Sequence, residues 1–309
     1  MAVDMAVDMA VRVGSLALPN PVMTASGTAG HGLELAPFVD HGRLGAFVVK
    51  SLAAFAWSGN DDPRLHPTPA GMLNSVGLQG PGVEAWIEHS LEPLEATGAR
   101  VVVSIWGRSV DEYEQAADQL ADVGPAVVAV EVNLSCPNHE GGRQMFAHDP
   151  AATADAIAAT EGCGRPRWAK LSPNTDRLVD IAGVAAASGA DAVTLVNTLL
   201  GLAIDRDRQV PVLGGGGGGL SGPAVHPVAV RAVAEVHAAH PDLAIVGVGG
   251  VRDAESAVDL LMAGASAVQV GTATFADPRA PMKVLDQLER WCRRKQVATL
   301  RELTGSLHV

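Results

Sequence analysis

The chain has 309 residues, 48% hydrophobic, 18% charged and only 4% aromatic, with a mean hydropathy of +0.19. This composition excludes a disordered chain and asks for a core of Ala, Val and Leu, the filling of helix-on-sheet packing. Thirty-four acidic against 22 basic residues give a net charge of −12, which excludes a protein that coats nucleic acid, because phosphate contacts need clustered Lys and Arg.

The N-terminal MAVD-MAVD-MA repeat, residues 1–10, reads as a frayed tail. It has no basic stretch followed by an apolar block, so it is not a secretory signal. Residues 11–18 read as a small β plug, and 11–309 as one domain. Eight apolar runs follow at 21–26, 46–51, 101–107, 127–135, 167–173, 192–198, 244–250 and 267–273. Most are nearly continuous in apolar residues, as strands covered on both faces should be. Helical patterns lie between them at 83–94, 110–120, 151–160, 178–187, 227–238, 254–262 and 281–294, with N-cap signals at Asp111, Asp149-Pro150 and Asp253. The first connection, 33–39, has room only for a short helix. Eight strands alternating with helices predict an α/β (β/α)8 TIM barrel. The rival, a doubly wound open sheet, needs a Gly-rich turn that Ser26-Gly27-Thr28-Ala29-Gly30 matches only loosely. No run reaches the roughly 18 apolar residues of a membrane-spanning helix.

Barrel active sites sit beyond the C-terminal strand ends. Those ends carry Ala25-Ser26-Gly27, Lys50-Ser51, Asn133 with Ser135-Cys136-Pro137-Asn138, Lys170, Asn197-Thr198, Gly249-Gly250 and Gly271-Thr272. Lys50 and Lys170 lie inside apolar runs, where an ammonium is costly unless it meets an anion or acceptor. Either they face a ligand or they form cross-barrel ion pairs, for which Glu131 is the only acidic residue in the eight runs. Gly249-Gly250 and Gly271-Thr272 occupy the usual barrel phosphate site. The six glycines of 214–219 read as a flexible loop, and Ser221-Gly222 beyond them as a place where backbone approaches a ligand. Cys136, past a strand end and among amides, is a candidate acid/base group, with Gly141-Gly142 as a lid hinge. Cys163 and Cys292 read as inert. Three cysteines supply neither a disulfide framework nor the four thiolates of an ordinary iron–sulfur cluster, so the reducing cytoplasm is the expected compartment. No histidine spacing suggests a metal site. The basic cluster 290–295 reads as the complement of a helix C-terminus.

The segments GMLNSVGLQGPG, VEVNLSCPN, AKLSPN, LVNTLLG, LSGPA, VGVGGV and AVQVGTATFADP, in this order over residues 11–281, resemble the class 1 dihydroorotate dehydrogenases. The resemblance implies an FMN barrel that oxidises dihydroorotate to orotate in pyrimidine synthesis. Cys136 would remove the C5 proton while flavin N5 accepts hydride from C6, with Lys50 as the second catalytic residue; Lys50 and Lys170 would face the flavin and stabilise negative charge on its reduced ring. Lys50, Asn74, Gly77, Leu78, Asn133, Asn138, Asn197 and Thr198 would hold the substrate. Ala25, Ser26, Gly27, Lys50, Ser51, Ser104, Asn133, Lys170, Val196, Ser221, Gly222, Gly249, Gly250, Gly271 and Thr272 would bind FMN. Thr198 and LLGLAID look closer to the branch paired with an FAD and iron–sulfur subunit, and the family suggests a homodimer. The chain departs from the family pattern at Phe55-Ala56-Trp57, where Glu-Pro-Arg is usual, at Ser104 in place of Asn, and at Gly80 in place of Asn. These departures leave two further readings open: oxidation or reduction of another cyclic imide by the same flavin chemistry, and a non-catalytic barrel subunit.

Overall fold

The computed structural model describes residues 6–136 and 144–308. The eight apolar runs are eight parallel strands: β3 (Val22–Thr24), β4 (Phe47–Val48), β7 (Val101–Ile105), β8 (Val127–Asn133), β9 (Arg167–Lys170), β10 (Ala192–Leu195), β15 (Ala244–Val248) and β16 (Ala267–Val270). They hydrogen-bond in the order β3-β16-β15-β10-β9-β8-β7-β4, and a parallel bridge between Met23 and Ala46 joins the two ends. The result is the (β/α)8 barrel. Nearly every strand residue is buried, which explains why the runs are apolar throughout and do not alternate.

The outer layer holds α3 (Val110–Asp118), α4 (Pro150–Ala159), α5 (Leu178–Ala187), α6 (His226–Ala239), α7 (Ala254–Ala263) and α9 (Ala280–Lys295). Successive helices pack on one another around the ring. Asp149 and Asp253 cap α4 and α7 as expected, Asp253 through a capping box with Ser256. The cap of α3 is Ser109, which accepts from the Glu112 N–H, and Asp111 lies in the first turn instead. The pattern at 83–94 is α1 (Val83–Trp86) and α2 (Glu92–Ala96) joined by a π turn, Ile87–Leu91. The connection between β3 and β4 forms hydrogen-bonded turns. A four-residue helix, α8 (Ala273–Ala276), follows β16. Arg293, Arg294 and Lys295 occupy the last turn of α9, where cations meet the exposed carbonyls.

The predicted plug is the hairpin β1 (Val11–Val13) and β2 (Leu16–Leu18), packed on β15 and β16. Its Ser15 hydroxyl donates to Asp191, just before β10. Asp8 is tied into the fold through Ala298 and Leu300, so residue 8 already belongs to the packed chain and not to a frayed tail.

A four-stranded antiparallel sheet, β11 (Leu199–Gly201), β14 (Gly218–Ser221), β6 (Gly71–Asn74) and β5 (Leu65–Thr68), stands over one barrel end, beside the small hairpin β12 (Ile204–Asp205) and β13 (Val210–Pro211). The sequence reading missed it. The glycine run it took for a flexible loop ends in β14, where small size is required. A Cβ on Gly219 would lie 2.0 Å from Thr198 Oγ1, and one on Gly218 2.6 Å from the Asn74 carbonyl oxygen.

Candidate active site

A cavity of about 690 Å³ opens at the C-terminal ends of the barrel strands, with the antiparallel sheet as its far wall. Every barrel strand except β7 delivers residues to it at or just past its end. Register places Leu65, Asn74, Gly219 and Leu200 in one row across the sheet, and all four line the cavity.

One end of the cavity is built from backbone. Gly249 and Gly250 follow β15, Gly271 and Thr272 follow β16, and Ser221 and Gly222 end β14. The Thr272 hydroxyl donates to Ser221 Oγ at 2.8 Å. Gly250 has φ +71°, and a Cβ there would sit 2.7 Å from His226 Cβ, so only glycine fits. His226 also braces this turn. Its Nδ1 lies 2.8 Å from the Gly249 carbonyl oxygen and its Nε2 3.2 Å from an Asp259 carboxylate oxygen. No sequence signal marked His226, because its role depends on α6 passing under Gly249.

The floor is a hydrogen-bonded polar layer. Ser26 and Ser51 hydroxyls are 3.1 Å apart, and Ser51 and Ser104 hydroxyls 2.9 Å. Asn133 Nδ2 reaches Ser51 Oγ at 3.4 Å, and Asn197 Nδ2 donates to Asn133 Oδ1 at 3.1 Å. Ala25, Gly27, Val196 and Thr198 complete this surface. Ser104 is fully buried and does not line the cavity, contrary to expectation: it supports Ser51 from below. The sequence reading also missed Asn174, whose amide donates to Ser172 Oγ and the Thr198 carbonyl and accepts from the Leu200 N–H, joining β9, β10 and the antiparallel sheet.

Both lysines line the cavity, but their electrostatic states differ. Lys170 Nζ lies 3.1 Å from Glu131 Oε1 in a buried ion pair, and the same carboxylate accepts from Thr194 and Gln269. The cross-barrel ion pair is therefore the correct reading for Lys170. Among the described residues no carboxylate acts on Lys50. Burial pulls its ammonium down to about 8, the Cys136 thiolate opposes that shift, and Lys170 adds to it. Among the described residues Lys50 is the cavity's cation without a carboxylate partner.

Gly77 and Leu78 line the wall below Asn74, both in the left-handed region at φ +70° and +64°. Cys136, expected in an open polar loop, is fully buried and off the cavity surface. It shares a cluster with Ala53 and Trp106, against which Phe55, Trp57 and Leu78 pack. Its thiol donates to the Asn133 carbonyl at 3.3 Å. Burial pushes the thiol up to about 12, while the Tyr113 hydroxyl and Lys50 pull it down. Asn138 and Gly141-Gly142 lie outside the described residues. Cys163 and Cys292 are buried at the helical layer, away from the cavity. Among the described residues no group of three or more His, Cys, Asp or Glu side chains could hold a metal ion, and no helix is long and apolar enough to cross a membrane.

The family model for dihydroorotate dehydrogenase matches residues 8–291. The chain is 46% identical over 305 residues to a protein of Desulforudis audaxviator, covering 98% of this chain and 99% of that one. It is 42% identical over 300 residues to one of Trichlorobacter lovleyi, covering 97% and 98%. A protein of Alkaliphilus oremlandii is 44% identical over 301 residues, covering 97% and 99%. All three are named dihydroorotate dehydrogenase B (NAD(+)), catalytic subunit.

Proposed function

The chain belongs to the dihydroorotate dehydrogenase family, and from that premise we propose that it is a catalytic subunit oxidising dihydroorotate to orotate in pyrimidine biosynthesis, with FMN as its resident cofactor. The observation that carries this reading is one cavity combining a glycine-built anion end, a Lys50 with no carboxylate partner among the described residues, and a neighbouring buried thiol. The residues fit FMN. The backbone turns that form the end where a phosphate would sit can be made only by glycine, since Cβ atoms at Gly222 and Gly250 would meet Gly71 Cα and His226 Cβ at 2.7 Å. When bound, FMN supplies two-electron chemistry as a hydride acceptor.

The protein's own groups do the rest. Gly249, Gly250, Gly271, Thr272, Ser221 and Gly222 would bind the phosphate through N–H and hydroxyl donors. Ala25, Ser26, Gly27, Ser51, Lys170 and Val196 would line the ring system, with Ser104 acting through Ser51. Asn74, Asn133, Asn197 and Thr198 offer amide and hydroxyl groups to a cyclic imide and its carboxylate, beside the Gly77-Leu78 backbone. Asn138 is assigned to the same role by resemblance alone. Lys50 supplies the charge that an anionic substrate needs, and Cys136, packed against Leu78 just behind the cavity wall, is assigned the C5 proton by resemblance.

The relatives' name marks each of them as one subunit of a larger enzyme that uses NAD(+). The reading therefore includes a separate electron-transfer subunit. Any iron–sulfur cluster belongs to it, because this chain has only three cysteines, and FAD is assigned to it by resemblance alone. A homodimer of the catalytic chain and a cytoplasmic location complete the proposal.

Anaerobic mixing of the flavin-loaded protein with dihydroorotate tests it. Bleaching by dihydroorotate, and not by dihydrouracil, is expected. Bleaching by the latter alone would replace dihydroorotate with another dihydropyrimidine. A second result follows from Lys50, which is charged below about 8 and neutral above. Orotate is an anion, so its dissociation constant should rise up to tenfold per pH unit above about 8, the slope set by one coupled proton. In Lys50→Met the orotate titration should be weaker and flat across that range.

A further inference from the structure

We propose that Trp57 is a positioning residue for the substrate, acting through the segment 77–80, whose Gly77 and Leu78 line the cavity; the inference rests on the activity proposed above. Leu78 adopts φ +64°, a backbone conformation that a residue with a Cβ holds only when its surroundings impose it. Trp57 imposes it from two directions. Its indole Nε1–H donates to the Gly77 carbonyl at 2.9 Å. Its backbone exchanges both hydrogen bonds with Gly80, at 2.9 and 3.0 Å. The carbonyl of Gly77 and the peptide of Gly80 bracket Leu78, so the part of the wall that faces the cavity is tied at both ends to one residue.

The indole is itself held. The rings of Phe55, Trp57 and Trp106 form a triangle with centroids 6.1 to 6.2 Å apart, each pair edge to face. The Arg108 guanidinium lies 4.6 Å from the Phe55 ring and 5.0 Å from the Trp57 ring. Arg108 in turn is fixed by the Glu112 carboxylate at the start of α3, with Nε donating at 3.0 Å. The same cluster encloses Cys136. One aromatic box therefore sets both the wall against which the substrate rests and the surroundings of the thiol that takes its proton. Phe55 and Trp57 are among the positions at which this chain departs from its resemblance, and the box is built from that departure.

Trp57→Phe removes the indole N–H and keeps an aromatic ring in the triangle. The orotate dissociation constant and the KM for dihydroorotate should rise about five- to tenfold, the worth of one lost hydrogen bond. Flavin content and kcat should stay within about twofold of wild type. Amide hydrogen exchange across 77–80 should accelerate in the variant, with no flavin ligand needed for the readout. Arg108→Met, which leaves the rings in place, should move the same quantities in the same direction by less. Unchanged exchange at 77–80, or an unchanged orotate constant, would overturn the proposal. So would a parallel loss of flavin and kcat, which would mark Trp57 as a general support of the fold. Should wild-type protein fail to be reduced by dihydroorotate, the parent reading falls, while exchange at 77–80 still decides whether Trp57 clamps the segment.

Discussion

Cys136→Ala should slow reduction of the bound flavin by dihydroorotate by roughly 10²- to 10⁴-fold, the usual cost of losing a general base. The argument is one of scarcity and strength. Burial pushes the Cys136 thiol up to about 12, so near neutrality the thiolate is rare. A rare thiolate of high pKa is also a strong base, and it forms beside Lys50, whose charge favours it. The wild-type rate should therefore rise with pH through the neutral and mildly alkaline range, by up to tenfold per unit. Two processes then oppose each other above about pH 8. The thiolate becomes more abundant while Lys50 loses the charge that attracts the anionic substrate. The rate constant at saturating dihydroorotate should keep rising, while the concentration needed for saturation also rises. Single-turnover stopped flow over pH 6 to 10 separates the two. Cys163→Ala and Cys292→Ala remove thiols equally buried but remote from the cavity, and should leave the reduction rate unchanged. A Cys136→Ala protein reduced at the wild-type rate would show that another group takes the proton.

The barrel was legible because its strands are covered on both faces and so appear as unbroken apolar runs. The antiparallel sheet over the mouth was not, because its strands are three or four residues long, partly exposed and rich in glycine. Strand glycine is normally a weakness. Here Thr198 and Asn74 press against Gly219 and Gly218, a three-dimensional reason that no local pattern contains. The polar strand ends were legible as a set, and most of them line the cavity. What the sequence could not rank was which polar residue faces the ligand and which faces another residue. Ser104 and Lys170 sit on strand positions like those of Ser51 and Lys50. Barrel closure turns Ser104 beneath Ser51 and Lys170 onto Glu131. Cys136 was found by its place after a strand, yet its burial comes from Trp106 and Ala53 in other βα units. Trp57 carried no chemical signal of its own. Its meaning lies in the position of Gly77, twenty residues along the chain.

Glu131→Gln should destabilise the apoprotein by about 3–5 kcal/mol, the cost of breaking a buried ion pair from one side. The carboxylate is fully buried at the centre of the barrel. One oxygen takes Lys170 Nζ at 3.1 Å, and the other accepts from Thr194 at 3.2 Å and Gln269 at 2.7 Å. A carboxamide has one acceptor where the carboxylate has two. It must turn its NH2 either toward the ammonium or toward two donors that then have to reverse. In either orientation Lys170 loses its counter-charge. Replacing the whole pair, as Glu131→Leu with Lys170→Met, removes both charges together and should recover most of the loss in urea unfolding. That double variant also tests the electrostatics of the cavity. Because the pair is neutral as a unit, deleting it should change orotate affinity far less than Lys50→Met does, even though Lys170 and Lys50 both line the cavity. Equal losses from the two would mean that Lys170 acts on the ligand as a free cation, and that the division of labour between the two lysines is wrong.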